Sequence, residues 1–214
     1  MFNFVLCITT GIRLFPYLAL VFTTASVMLS TRVNRLNLLK LIIGNVFMLY
    51  MSCVIALVFF PLPDAAEIAE LSGHRIQAIP FMYLADIIRE SPLVPGDVST
   101  YLPALCNRAI WQVIFNIVMM VPLGMFLGYF CKCNFRAVIK YTFLLSLFIE
   151  IGQLTGLFFI FKGSYRLCDI DDIMLNTLGG AIGYGLLRMI KSYLPNYDAY
   201  DIVIGEGEKK EQLN

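Results

Sequence analysis

The stretch "DIDDIMLN", Asp169 to Asn176, puts three aspartates and an asparagine at the head of an apolar run that ends "GGAIGYGLL". Two other apolar runs carry Asn116 and the pair Glu150 and Gln153. Carboxylates and amides of this kind can build an ion-pair network, offer hard oxygen ligands to magnesium or calcium, or act as general acid and base. Nucleophilic catalysis is poorly served, because no histidine accompanies Ser164, Thr155 or Cys168 as an activating base. No spacing here forms a specific metal motif, so neither a metal nor a cofactor is expected. A mixed network of Arg, Asp and Glu side chains is the better account, with Arg166 as the cation opposite Glu150.

Helical spacing sorts these groups. Asp169, Asp172 and Asn176 follow i, i+3, i+7 and stack along one stripe, whereas Asp171 is directed elsewhere. Glu150 and Gln153 are three residues apart and share a face.

The elements that must position them are membrane helices. The chain has 214 residues, 59% of them hydrophobic and 14% charged, and a mean hydropathy of +0.76, whereas a soluble domain carries about 25% charged residues. About 20 apolar residues suffice to cross a bilayer as helix, and five such stretches are expected, over 14–30, 39–60, 109–130, 137–161 and 170–190. The fold class is therefore all-α, a polytopic membrane helix bundle in one membrane domain, 1–194, followed by a polar, poorly ordered tail, 195–214. A net charge of +1 gives no reason to expect a nucleic-acid partner.

Arg32, Arg35 and Lys40, then Lys132, Arg136 and Lys140, then Arg188 and Lys191 mark three connections as cytoplasmic. That puts the N-terminus and the long segment 61–108 outside and the C-terminus in the cytoplasm. Within the outer segment, "FMYLADIIRE" sets Phe81, Leu84, Ile87 and Ile88 against Asp86, Arg89 and Glu90. This pattern fits a short helix lying in the headgroup region or one packed on the other helices. His74 is read as solvated, and the six cysteines, which lack paired CxxC spacing, as small packing residues.

An acidic or amide side chain facing lipid is costly, about 2.5–3.5 kcal/mol for a charged group at the helix centre. Asn116, Glu150, Gln153 and Asn176 should therefore face one another. Counted from the outer ends of their spans, Asn116, Gln153 and Asn176 fall at one level, about 9–12 Å deep at ~1.5 Å per residue. Together with Asp169 and Asp172 they outline an outward-opening polar notch, which serves either to fix the bundle or to bind a ligand. Pro122 and Gly124 should bend or thin the third span beneath Asn116, and Gly179, Gly180 and Gly183 let the fifth approach a neighbour closely.

Four blocks, "AIPF" (Ala78 to Phe81), "NIVMMVPLG" (Asn116 to Gly124), "IEIGQL" (Ile149 to Leu154) and "DIDDIMLNTLGGAIGY" (Asp169 to Tyr184), resemble the VanZ-like family of bacterial membrane proteins. The resemblance implies a multi-pass protein of the bacterial cytoplasmic membrane and cell envelope. The founding member gives low-level resistance to teicoplanin, a glycopeptide antibiotic with a lipid tail. The family pattern falls on Asn116, Glu150, Gln153, Arg166, Asp169, Asp172 and Asn176, and carries no established catalytic mechanism. A non-enzymatic protein binding a membrane lipid, a lipid-linked cell-wall precursor or the antibiotic is the first expectation. An enzyme acting on such a lipid through Glu150, Asp169 and Asp172 is the second, and a carrier with Glu150 as proton or ion site the third.

Overall fold

Long apolar runs have to satisfy their backbone groups internally, and helices do so. In the computed structural model, which describes residues 4–64, 67–68, 73 and 75–203, the fold is all-α. Among the described residues, five helices are long and apolar enough to cross a membrane, as expected of a multi-pass membrane protein. We name them, with the short helix Met82–Arg89, in chain order: α1 Phe4–Arg32, α2 Leu38–Phe59, α3 Met82–Arg89, α4 Arg108–Tyr129, α5 Phe135–Leu154 and α6 Ile170–Ile190. His74 lies outside the described residues. Contacts gather the chain into two units, the described residues of Met1–Leu62 with Tyr193–Asn214, and those of Pro63–Ser192.

The first unit is the hairpin of α1 and α2. Gly11 lies against the backbone of Cys53 and Gly44 against the ring of Phe22, so the missing side chains let the helices close up. Thr23 and Asn45 exchange a hydrogen bond at 3.1–3.2 Å across the contact. The expected tail also belongs here. Residues 195–203 were assigned to a poorly ordered tail on polarity alone, and instead they clasp the turn between α1 and α2. Ile202–Val203 pair antiparallel with Arg35–Leu36. The buried Asn37 caps α2 through the Lys40 N–H (2.8 Å) and donates to Tyr197 O and to Asp201 Oδ1, both at 2.6 Å. Lys40 Nζ lies 3.0 Å from Asp198 and 3.2 Å from Asp201, and 5.3 Å from the centre of the Tyr197 ring. Polar residues order when each finds a partner of opposite character. Residues 204–214 lie outside the described residues.

The Asn37 amide, and then the Lys40 cation, hold the Asp201 carboxyl below its ordinary 3.8. For a lowered acid, the contribution to stability is present above the ordinary value and is lost as pH falls through the lowered one. The clasp is thus expected to persist at neutral pH. Asn37→Ala removes the α2 cap and the donor to Tyr197 and Asp201. A loss of about 1–2 kcal/mol is expected, with new cleavage in residues 195–203 under limited proteolysis read by mass spectrometry.

The second unit packs α6 between α4 and α5. A methyl group on Gly179 would overlap the carbonyl of Ile117, one on Gly183 that of Val121, and one on Gly124 that of Gly180. Gly180 faces the Thr142 side chain of α5. The glycines therefore serve both neighbours at once. Pro122 is exposed while Gly124 is buried, so it is the glycine that thins α4 at the contact.

The fourth span is shorter than 137–161. The α5 helix stops at Leu154, and Gly156, Leu157, Phe158 and Phe159 all have positive φ, from 57° to 70°. Thr155 Oγ1 caps the Phe158 N–H at 3.1 Å, and Phe161 N–H returns to Gly156 O at 2.8 Å. A side chain on Gly156 would collide with the carbonyls of Phe161 and Gly163, so only glycine allows the chain to reverse there. Hydropathy alone runs through this turn because its residues are apolar.

Candidate functional site

The polar side chains of α4, α5 and α6 meet along the N-terminal half of α6 in successive layers. At the entry of α6, Glu150 Oε2 accepts the Asp169 N–H at 2.9 Å, and the Cys168 thiol also donates to Glu150. One turn on, Asp172 Oδ1 accepts from the Asn116 amide, and Gln112 donates to the same carboxylate. A further turn on, Asn176 Nδ2 donates to Ser146 Oγ at 2.9 Å. Its Oδ1 is buried and has no hydrogen-bond partner among the described residues.

This ladder brings together Asn116, Glu150, Asp169, Asp172 and Asn176. It corrects the single level on which the notch was drawn. With α5 ending at Leu154, Gln153 lies in its last turn rather than well inside a span. Glu150 therefore stands level with the mouth of α6. Arg166 is the cation expected opposite Glu150, and the Asp169 N–H and the Cys168 thiol also reach this carboxylate. Glu150, Gln153 and Asn176 are buried, at 2%, 6% and 3% exposure, whereas Asn116, Asp169 and Asp172 are half-buried and Gln112 is exposed.

The mouth is roofed by the segment of residues 75–83. Ile76–Gln77 pair in parallel with Cys168–Asp169, and Gln77 Nε2 donates to Asp169 Oδ1 at 3.2 Å. Ser164, itself buried, accepts the Arg75 N–H at 3.1 Å and donates to Leu154 O at 3.0 Å. The residue that fixes the roof is Asp171, set aside at the level of sequence because it leaves the Asp169–Asp172–Asn176 stripe. It is 2% exposed, and its two carboxylate oxygens accept the Phe81 N–H at 2.6 Å and the Tyr83 N–H at 3.0 Å. Phe81 has a left-handed backbone, φ 66°. Asp171 thereby supplies the first turn of α3 with the acceptor that the Phe81 side chain cannot give. One signal was available: the "AIPF" block ends on the residue Asp171 holds.

Burial, and then the charge of Glu150, push the Cys168 thiol up to about 11. At neutral pH it is a donor and not a thiolate nucleophile. Burial, and then the neighbouring Asp171 charge, also push the Asp169 carboxyl up, against the Asp171 N–H that it caps at 2.8 Å. Among the described residues no group of three or more His, Cys, Asp and Glu side chains is placed to hold a metal ion.

Chemically the ladder is an array of acceptors and amides with an open flank at Gln112, Asn116 and Asp172 and a closed interior at Glu150, Gln153 and Asn176. The family model for VanZ/LLP1 matches residues 47–191, well over half of the chain. No curated protein and no solved structure matches. Every layer of the ladder, the roof and the glycine contacts among α4, α5 and α6 fall within that match, and the chain belongs to the VanZ/LLP1 family.

Proposed function

We propose that the protein is a bacterial cell-envelope membrane protein that recognises the polar head of a lipid-tailed molecule at the α4–α6 flank. The ligand is a lipid-linked cell-wall precursor or a glycopeptide such as teicoplanin, and its capture alters access to its target. One observation carries this reading. Asp172 is a half-buried carboxylate inside a membrane-crossing helix, held between the Asn116 and Gln112 amides. A charge at such a place is costly unless function retains it. The roof of residues 76–83 covers the top, so a ligand enters sideways from the bilayer, as one with a lipid tail would. In this reading the mouth faces the outer side, the orientation that the basic connections favour. An enzymatic role through Glu150, Asp169 and Asp172 has less support, because Glu150 and Asp169 are already engaged by donors within the fold.

The test is binding of teicoplanin to the full chain in lipid nanodiscs, with vancomycin, which lacks the tail, as comparison. Asp172→Asn removes a charge-assisted contact of about 1.5–3 kcal/mol, so the dissociation constant should rise roughly ten- to hundredfold. Wild-type protein that binds neither teicoplanin nor a lipid-linked precursor would remove the reading. Expression in a sensitive host should raise the teicoplanin threshold and leave that of vancomycin unchanged.

A further inference from the structure

Large apolar side chains run along the outside of residues 76–105. Phe81, just before α3, and Leu84 and Ile88 on it are 53%, 49% and 76% exposed, and Leu84 and Ile88, four residues apart, share one side of the helix. Asp86 and Arg89 pair at 3.9 Å away from that side. Ile87 turns inward, and its carbonyl accepts from Asn107 at 3.2 Å, so α3 packs on the start of α4 through a different face from the one left bare. Beyond α3 the exposed apolar residues continue with Val98, Leu102 and Leu105.

Two features say what covers this face. The first is continuity: Val98–Tyr129 is one stretch apolar enough to cross a membrane, so the bare residues lead directly into a membrane-crossing helix. The second is rigidity, because the buried Asp171 fixes the backbone of Phe81 and Tyr83 and holds the face in place whether or not anything covers it. An exposed apolar strip joined to a lipid-facing helix is what an interfacial segment presents.

We propose that the segment from Phe81 to Leu105 is seated in the bilayer surface, with Phe81, Leu84 and Ile88 among the upper acyl chains and Glu90 toward water. The roof over the polar ladder is then held from two sides, by α6 beneath and by lipid around it. This inference needs no ligand and goes beyond the recognition role above.

The chain contains a single tryptophan, Trp111, which makes the test direct. Full-length protein carrying Trp111→Phe receives one new tryptophan at a time, by Ile88→Trp, Leu84→Trp or Glu90→Trp. Each is placed in vesicles of phosphatidylglycerol and phosphatidylethanolamine, with a fraction of the lipid brominated near the top of the acyl chain. At ~5–10 Å into the boundary, the depth an interfacial helix reaches, Ile88→Trp and Leu84→Trp should lose about half of their emission. Glu90→Trp, on the other side of the helix, should keep nearly all of it. Unquenched emission at both apolar positions, or equal quenching at Glu90→Trp, overturns the proposal. The vesicles hold no glycopeptide or cell-wall precursor, so failure here is distinct from failure of the recognition reading.

Discussion

Asp171→Ala is expected to free the roof of residues 76–83 from the N-terminus of α6 and to cost roughly 2–6 kcal/mol, about 1–3 for each buried donor left without an acceptor. The donors are the Phe81 and Tyr83 N–H groups, bound at 2.6 Å and 3.0 Å by a side chain only 2% exposed. No neighbour can replace it from the sequence side, because Phe81 holds a left-handed backbone and its side chain offers no cap. Amide hydrogen exchange in nanodiscs checks the effect: protection should fall at Phe81, Tyr83 and through α3, while the hairpin of α1 and α2 keeps its own. Asp171→Asn, which retains one carbonyl acceptor, should lose less. Equal protection in Asp171→Ala and wild type would show that the roof is held by other bonds.

A comparable loss is expected from Gly179→Val. The contact there is backbone against backbone, with the Ile117 carbonyl where a side chain would have to go, so α4 and α6 must separate for any larger residue to fit. Overpacking of a tight contact costs about 1–3 kcal/mol when side chains can yield, and more is expected where the obstructing atom belongs to a helix backbone. Separation at Gly179 also strains the Asn116–Asp172 bond on the same pair of helices. Thermal unfolding in detergent should begin at a clearly lower temperature. Gly185→Val is the control, because open space surrounds Gly185.

Much of this arrangement was legible in the sequence. Hydropathy found all five spans because a membrane leaves few alternatives to a long apolar helix. The cost of charge in lipid likewise gathered Asn116, Glu150, Gln153 and Asn176 onto facing helices, and the ladder holds Asn116, Glu150 and Asn176. What escaped was set by contacts between distant residues. Asp171 was read by helical spacing alone, which reports faces but not which of them a loop ninety positions away will cover. Gln153 was placed too deep because Thr155 and Gly156 end α5 within an apolar run, where local backbone geometry outweighs hydropathy. The segment 195–203 looked like a tail because its partners, Asn37 and Lys40, stand some 160 residues earlier.

The bond between Phe81 and Asp171 spans ninety positions, and synthesis imposes an order on it. At about 5–20 residues per second, α3 leaves the ribosome on the order of 5–20 seconds before its anchor exists. Throughout that interval the Phe81 and Tyr83 N–H groups lack the acceptor that Asp171 later supplies, while Leu84 and Ile88 stay bare as they do in the fold. A helix that must wait for the last span of its own protein needs shelter during biogenesis, and the bilayer beside the translocon is the nearest place to find it.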